Sequence, residues 1–303
     1  MVQGTHYDSD QSISQNWLLQ TWRLTRWNLF LLSRRLSGRL ALIILVVGFL
    51  LMVTGMSASA LLVPRQFAPD AANTLTFPLS LHLAELYIRF VGIILVCILA
   101  GVQVGSEFTF GTQRQMLTRG LSRVQILTAQ CCGLAITALF FTAFLLIISI
   151  LVGLVVGPAL GSPVPALSAG TWSGLLMYFL ALSAKLFIYM LLAFACAVVG
   201  RSPIAGVALP LSFFLLENIL SNLLSMLSHN TQPATITPLT IYPLLLPGNN
   251  TAVLTNAATA LYAPGSQSVQ PMLAALAFGI FLAYCAIFCG ASFFAYSRRD
   301  ITE

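Results

Sequence analysis

Three apolar runs of this sequence carry ionisable residues, which are rare in a chain with only 7% charged residues. The first run holds His82, Glu85 and Arg89, at positions i, i+3 and i+7, so a helix would place them on one face. Carboxylate and imidazole groups on one face could relay protons or line a route for a polar solute. A charge at the centre of a bilayer costs roughly 2.5–3.5 kcal/mol on insertion scales. We therefore expect these residues to have a function or a partner.

Two further apolar runs carry the remaining candidates. Lys185 lies near the middle of one run, and Glu217 should lie at a similar depth in the next. Opposite charge and matched depth predict an ion pair between Lys185 and Glu217. Polar groups recur beside Glu217 at steps of three and four, which indicates one helix face: Asn218, Ser221 and Asn222. Alone, such groups would be ordinary packing contacts worth about 0.6 kcal/mol each, but next to Glu217 they favour a wet, interior-facing surface.

No residue pattern in the chain predicts catalysis or a metal site. The apolar runs hold no convincing H-E-x-x-H pair, Asp dyad or Ser-Lys pair, and all six cysteines lie inside them, which argues against a disulfide framework. Cys285 and Cys289 share a helix face without a nearby histidine or carboxylate, so we expect ordinary packing. A phosphate-binding loop of the G-x-x-x-x-G-K-[ST] type needs a lysine, and the single lysine, Lys185, lies outside any such motif. The chain is therefore not expected to bind ATP by that means.

The composition indicates which elements must position these residues. The chain is 58% hydrophobic, and runs of about 20 apolar residues, enough to cross a ~30 Å hydrocarbon core as helices, recur along it. We predict an all-α polytopic membrane protein with six transmembrane helices. The predicted spans are 40–63, 80–104, 128–157, 172–199, 203–227 and 270–296. They form one transmembrane domain, 40–303, after a cytoplasmic tail and interfacial helix at 1–39.

The arginines predict that both termini face the cytoplasm. Eleven arginines flank the spans on one side, whereas only Arg65 lies on the other, and cytoplasmic loops carry the excess of basic residues. We interpret the net charge of +6 as this topology signal and expect no nucleic-acid partner. Three tryptophans and flanking arginines in 16–35 predict a helix at the water–lipid boundary. On the opposite side, residues 249–262 could form a short helix on the outer surface.

The segment "GSEFTFGTQRQMLTRGLSR", residues 105–123, concentrates charge between the second and third spans. Thr112 is predicted to cap a helix over 113–119, because its hydroxyl can accept a free backbone N–H. Gly120 can end that helix in a left-handed conformation, and Ser122 can cap the next helix. A loop that only sets topology needs no ordered helix, so these signals favour an ordered two-turn helix near the membrane surface on the cytoplasmic side.

The same segment resembles the signature of a known family, the type-2 permeases of ABC transporters, which are the six-span membrane subunits of ATP-driven exporters. The resemblance rests on these residues: Glu107, Gly111, Thr112, Arg114, Leu117, Ser122 and Arg123. The ending "FFAYSRRDITE" and the six-span layout are also similar to the family. Gln130 departs from it, because a lysine is frequent at that position.

The resemblance implies a pair of permeases, either two copies or two related chains, joined to two ATPase subunits. ATP and Mg would bind to those partner chains, and this chain would hold no cofactor. The coupling residues would be Glu107, Gly111, Thr112, Arg114, Arg119 and Arg123, with Glu107 anchored by a nearby arginine. The translocation pathway would be lined by the polar residues of the second, fourth and fifth spans. We expect export of an amphipathic substrate, such as an antibiotic, a peptide or a lipid-like compound, across a bacterial plasma membrane.

Three other classes of function stay open. A proton-coupled secondary transporter would use Glu85, Glu217 and His82 as a relay and would need no ATPase. An intramembrane enzyme would need a catalytic group within the spans, such as an H-E-x-x-H pair, an Asp dyad or a Ser-Lys pair. A scaffold or sensor would bind an ATPase without moving a substrate.

Overall fold

The computed structural model describes residues 7–62, 75–118, 120–159, 169–228, 242–262 and 270–298. Helices are the sole regular elements within these ranges, which confirms the all-α prediction. They are α1 (Tyr7–Arg34), α2 (Leu36–Leu62), α3 (Leu81–Tyr87), α4 (Ile93–Thr109), α5 (Thr112–Thr118), α6 (Arg123–Ala159), α7 (Ala169–Gly200), α8 (Pro203–Ser228), α9 (Pro247–Tyr262) and α10 (Pro271–Arg298). A π-helical turn, Ile88–Gly92, joins α3 to α4, and a 3-10 turn, Tyr242–Leu245, precedes α9.

Six helices in the described ranges are long and apolar enough to cross a membrane, so the chain is a multi-pass membrane protein. They cover Leu36–Ser59, Leu81–Thr109, Arg123–Val156, Thr171–Gly200, Pro203–Leu224 and Pro271–Arg298. Each predicted span overlaps one of them. The third begins at Arg123, five residues before the predicted start at 128, because the cap at Ser122 already begins the helix.

The central helix of the bundle is α7, which packs against α4, α6, α8, α9 and α10. Its buried side chains recur at steps of three and four, as on one helix face: Tyr178, Leu182, Lys185, Leu186 and Tyr189. By contrast, α10 exposes large apolar side chains along its length, including Phe278, Leu282, Ile287 and Phe294. An apolar exposed face is compatible with lipid, because lipid tails are as apolar as these side chains.

Two helices, α4 and α8, cross at backbone contact. Gly101 and Gly105 are four residues apart on α4, and a β-carbon at Gly101 would overlap the backbone of Gly206 on α8. A β-carbon at Gly105 would overlap the backbone of Pro203 in the same way. Small residues at this spacing let membrane helices approach closely. Because no hydrophobic effect drives helices together within lipid, such close packing contributes much of their association. The pair Gly101–Gly105 therefore joins α4 to α8.

Gly101→Ala is expected to lower the free energy of unfolding by about 1–3 kcal/mol, because the added methyl group forces α4 and α8 apart. The matched control is Gly279→Ala, since nothing lies within 4 Å of a β-carbon at Gly279. In that exposed helix, alanine should be neutral or stabilising by up to about 1 kcal/mol. Thermal unfolding of both variants in lipid measures the difference. Equal melting temperatures would contradict the close crossing.

The helix predicted at 16–35 is confirmed as part of α1, which extends from Tyr7 to Arg34 and packs along α6. The Thr25 hydroxyl lies 3.3 Å from the carbonyl oxygen of Ala129 on α6, while Trp22 and Trp27 are exposed.

The short helix predicted at 249–262 is confirmed, but its expected place on the surface of the bundle is wrong. The segment forms α9, which packs against α7 and α10 and buries Thr251, Thr255 and Thr259. Thr251 and Thr259 can be buried because each donates a hydrogen bond to a carbonyl oxygen of α9 itself, as Thr259 does to Thr255 at 2.8 Å. The Thr255 hydroxyl shares its proton between the carbonyl oxygen of Ala252 and the Glu85 carboxylate. Burial also raises the pKa of Tyr262, at the end of α9, to about 12, so this phenol is neutral at physiological pH.

Candidate functional site

A small polar cavity of about 70 Å³ lies where α3, α7, α8 and α9 meet. We call it the polar cavity. Six residues predicted from the sequence line it: Glu85, Arg89, Lys185, Glu217, Asn218 and Ser221. The volume is sufficient for water, given this many polar partners. The structure thus brings together residues from three spans, as the sequence predicts.

Glu85 is the central hydrogen-bond acceptor of this site. Its Oε1 lies 3.7 Å from the Lys185 Nζ and accepts a hydrogen bond from the Thr255 hydroxyl at 3.0 Å. Its Oε2 lies 3.3 Å from the Tyr178 hydroxyl and 3.6 Å from Nδ1 of His82. The Lys185 side chain is 3% exposed and that of Glu85 18%. The two residues therefore form a buried ion pair whose carboxylate has three further polar neighbours.

The predicted ion pair between Lys185 and Glu217 is wrong, since Lys185 pairs with Glu85. Glu217 instead accepts hydrogen bonds from the Tyr189 hydroxyl and from the backbone N–H of Gly248, both at 2.5 Å. Gly248 lies in the first turn of α9, where backbone N–H groups have no partner within the helix and the helix dipole favours an anion. Glu217 is therefore held by a helix N-terminus in place of a lysine.

The helix α9 is thus attached to both carboxylates of the polar cavity. Gly248 binds Glu217 near its start, and Thr255 binds Glu85 two turns later. A third contact, 2.9 Å between the Ser221 hydroxyl and Oδ1 of Asn249, joins α9 to α8. These contacts hold α9 over one side of the cavity.

Four residues of this site are not predicted from the sequence: Tyr178, Tyr189, Gly248 and Thr255. The two tyrosines carried a usable signal, because they lie seven residues before and four residues after Lys185 on the same face of α7. Gly248 and Thr255 carried none, since their role depends on how a segment remote in sequence docks against α7.

Three predicted pathway residues lie at or outside the edge of the polar cavity. Arg89 is exposed and belongs to the π-helical turn, where the regular helical spacing assumed for His82, Glu85 and Arg89 does not hold. His82 contacts Glu85 with a side chain that is 40% exposed. Asn222 is exposed and lies outside the cavity lining, so the predicted polar face of α8 is buried only in part.

Thr255→Val is expected to loosen α9, because it removes the hydrogen bond to Glu85 while keeping the size and branching of the side chain. A hydrogen bond to a charged group contributes about 1.5–3 kcal/mol, so backbone amides of α9 should exchange roughly tenfold faster or more. The control is Thr251→Val, whose buried hydroxyl donates within α9, to Pro247 and Gly248. Hydrogen exchange of residues 248–262 measures both. Equal exchange in the two variants would show that Glu85 does not hold α9.

A second candidate site is the coupling segment, residues 105–123, at one end of the bundle. Its short helix α5 is Thr112–Thr118, and Gly111 and Gly120 flank it with φ of +65° and +84°. Gly120 therefore ends the helix in the left-handed region, as predicted. Ser122 caps α6 as predicted: its hydroxyl accepts from Gln125 N–H at 3.2 Å, and the Gln125 side chain accepts from Ser122 N–H at 2.9 Å.

The predicted capping role of Thr112 is wrong. Thr112 is the first residue of α5, and its hydroxyl donates to the carbonyl oxygen of Glu107 at 3.1 Å. That contact satisfies a carbonyl at the end of α4, which has no partner within its own helix. Thr112 therefore fixes α5 to α4.

Contacts with other parts of the chain hold the coupling segment in place. Arg35 donates to the Ser106 hydroxyl at 2.9 Å, and the Gln130 amide donates to the buried Glu107 carboxylate. Arg123 donates to the carbonyl oxygens of Tyr296 and Ser297 at the end of α10, at 3.1 and 3.2 Å. Arg123, predicted to meet a partner, is thus engaged within the chain. Gln130, which departs from the resembled family, is the residue that contacts Glu107.

Arg119 lies outside the described residues, as does the side chain of Arg114. The anchoring of Glu107 by an arginine therefore stays a prediction. The surface of the segment is exposed at Phe110, Gln115 and Thr118. Phe110 is 74% exposed, and a large apolar side chain in this position at the end of a bundle can serve as a contact for another protein.

The comparisons with known proteins add a family match. A protein-family model described as "Protein of unknown function (DUF2705)" matches residues 40–302. No curated protein matches the chain. The matched range contains both candidate sites.

Proposed function

The chain belongs to the DUF2705 family, and we propose that it is the membrane-spanning permease subunit of an ATP-driven exporter. The observation that carries the proposal is the coupling segment: a short helix between two spans, held by Arg35 between α1 and α2, by Gln130 of α6 and by the end of α10. Its resemblance to the type-2 permeases of ABC transporters supports an ATPase as the partner. Energy would come from ATP and Mg on that partner.

The contacts of the coupling segment offer a route for transmitting movement. A force on α5 would act on α4 through Thr112 and on α6 through the short connection that ends at Ser122. Through the glycine contacts at Gly101, α4 bears on α8, which carries Glu217. Through the π-helical turn, α4 continues into α3, which carries Glu85. Docking of an ATPase would therefore change the geometry of the polar cavity.

The polar cavity is the proposed part of the translocation pathway, with α9 closing it on the side away from the coupling segment. An amphipathic substrate suits a largely apolar bundle that holds a small polar cavity. The proposed assembly is a pair of permeases with two ATPase subunits in a bacterial plasma membrane, with both termini in the cytoplasm.

The test of the proposal is reconstitution with an ABC-type ATPase from the same genome. The chain and the ATPase should co-purify, and ATP hydrolysis should rise when both are placed in lipid. An ATPase whose phosphate-binding lysine is replaced should still co-purify but drive no transport. If ABC-type ATPases neither bind the chain nor respond to it, the proposal is wrong.

The orientation can be measured separately. Single cysteines at Ser14, Gly161 and Gln267 in a cysteine-free chain should react differently with an impermeant thiol reagent on intact cells. We expect labelling at Gly161 and Gln267 and none at Ser14, because the arginine bias places the termini in the cytoplasm. Labelling at Ser14 alone would show that the topology is the reverse of the one predicted.

A proton-coupled transporter is the second candidate function, and one observation favours it. The Glu217 side chain is buried. Neither Lys185 nor any arginine that the structure describes forms an ion pair with its carboxylate within 4.0 Å. Such a carboxyl group could change its protonation state during transport. This alternative predicts uptake driven by a pH gradient in vesicles that contain the chain alone, and loss of that uptake in Glu217→Gln.

A further inference from the structure

An apolar pocket of about 260 Å³ lies at the corner where α1 and α2 meet α4 and α6. We call it the corner pocket. Its apolar walls include Leu29, Leu32, Leu42, Leu99, Phe140 and Phe141. It shares no lining residue with the polar cavity, and neither the coupling segment nor the proposed pathway uses it.

Two arginines lie near the end of the corner pocket where α1 meets α2. Ser33 and Gly38 form part of its lining, and Arg34 and Arg39 follow them in sequence. The Arg39 Nε donates to the Ser33 carbonyl oxygen at 3.3 Å, which places this side chain beside the pocket. The Arg34 guanidinium lies 4.8 Å from the Phe30 ring centroid.

Both arginines are exposed, and neither forms an ion pair with a described residue. Arg35, between them, is instead turned towards Ser106. The two exposed charges therefore remain available to an external anion.

The position of the pocket relative to the membrane indicates which kind of anionic ligand fits it. The first span begins at Leu36, so Arg34 and Arg39 lie at the start of the apolar region and the pocket extends into it. Basic residues at this depth meet lipid phosphates, and basic pockets between spans bind anionic headgroups. A ligand that fits must carry a negative group at the boundary and an apolar chain below it.

We propose that the corner pocket binds one anionic phospholipid. Its phosphate contacts Arg39, the exposed charge of Arg34 at the same end of α1 adds to the attraction, and part of one acyl chain fills the space between α1, α2, α4 and α6. A zwitterionic lipid would leave the two positive charges without a net negative partner. The proposal rests on the membrane-spanning fold and is independent of an ATPase.

The test uses the full chain in nanodiscs that contain phosphatidylcholine with a minority of phosphatidylglycerol. Native mass spectrometry counts the lipids that stay bound after the protein is released gently from the nanodiscs. Wild type should retain one phosphatidylglycerol in preference to phosphatidylcholine, and Arg34→Gln with Arg39→Gln should weaken this retention by about tenfold or more. The charge-matched control is Arg23→Gln with Arg26→Gln, because both residues are exposed on the same helix.

A second variant tests the acyl-chain part of the site. Leu42→Trp should fill the corner pocket and abolish retention of phosphatidylglycerol while Arg34 and Arg39 stay in place. If the double arginine variant fails to fold, this variant alone tests whether the pocket binds the lipid. Equal loss in the two arginine pairs would show diffuse attraction and overturn the proposal. Equal retention of the two lipids by wild type, or full retention by Leu42→Trp, would overturn it as well.

Discussion

Lys185→Met is expected to lower the free energy of unfolding by about 3–5 kcal/mol, because Glu85 is left as a buried charge without its cation. The distance of 3.7 Å between Lys185 Nζ and Glu85 Oε1 and the 3% exposure of the lysine side chain support this size. The 18% exposure of the Glu85 side chain places the expected effect at the lower end of the range. Thermal unfolding in lipid measures it.

The identity of the partner is tested by two double variants. Lys185→Met with Glu85→Gln should recover most of the lost stability, because no lone charge remains and the amide oxygen of the introduced glutamine can still accept from Thr255. Lys185→Met with Glu217→Gln should recover none, because Glu217 is held by Tyr189 and Gly248. If the Glu217 combination recovers stability and the Glu85 combination does not, the pairing inferred from the sequence holds and the described geometry fails.

Phe110→Ala is expected to weaken binding of the proposed ATPase by at least about 2 kcal/mol, or roughly 30-fold, as for a central aromatic contact of an interface. The side chain is 74% exposed, so its removal should leave membrane insertion and melting temperature unchanged. Co-purification and stimulated ATP hydrolysis measure the effect. The matched control is Ile204→Ala, which removes a side chain that is 77% exposed next to Pro203, at the same end of the bundle as Gly105.

Glu107 and Arg114 test the coupling role in a different way. Arg114→Glu should lower stimulation of ATP hydrolysis and abolish transport while insertion is intact. Glu107→Ala should do the same but should also destabilise the segment by about 1–3 kcal/mol, because the buried Gln130 amide loses its acceptor. If Phe110→Ala, Glu107→Ala and Arg114→Glu all keep full stimulation and transport, the coupling segment is only a topology loop.

Much of the fold follows from local features of the sequence. The six spans were recognisable because apolar length alone decides whether a helix can cross lipid. The helix ends at Gly120 and Ser122 were recognisable because a left-handed glycine and a hydroxyl cap act within one turn of the chain. The grouping of Glu85, Lys185 and Glu217 was also predictable, since burying charged groups in an apolar bundle favours their meeting in one place.

Only the tertiary structure decided which of these charges are partners. Depth and sign allowed Lys185 to pair with either carboxylate, and the choice of Glu85 depends on how α3 and α7 pack side by side. Glu217 needs no lysine because the N-terminus of α9 reaches it, and nothing local in residues 247–262 encodes that docking. Thr112 likewise contacts the end of α4 because of the turn at Gly111. Periodicity along one helix predicts which residues share a face. Which residues of two different helices become partners depends on how all the helices of the bundle pack together.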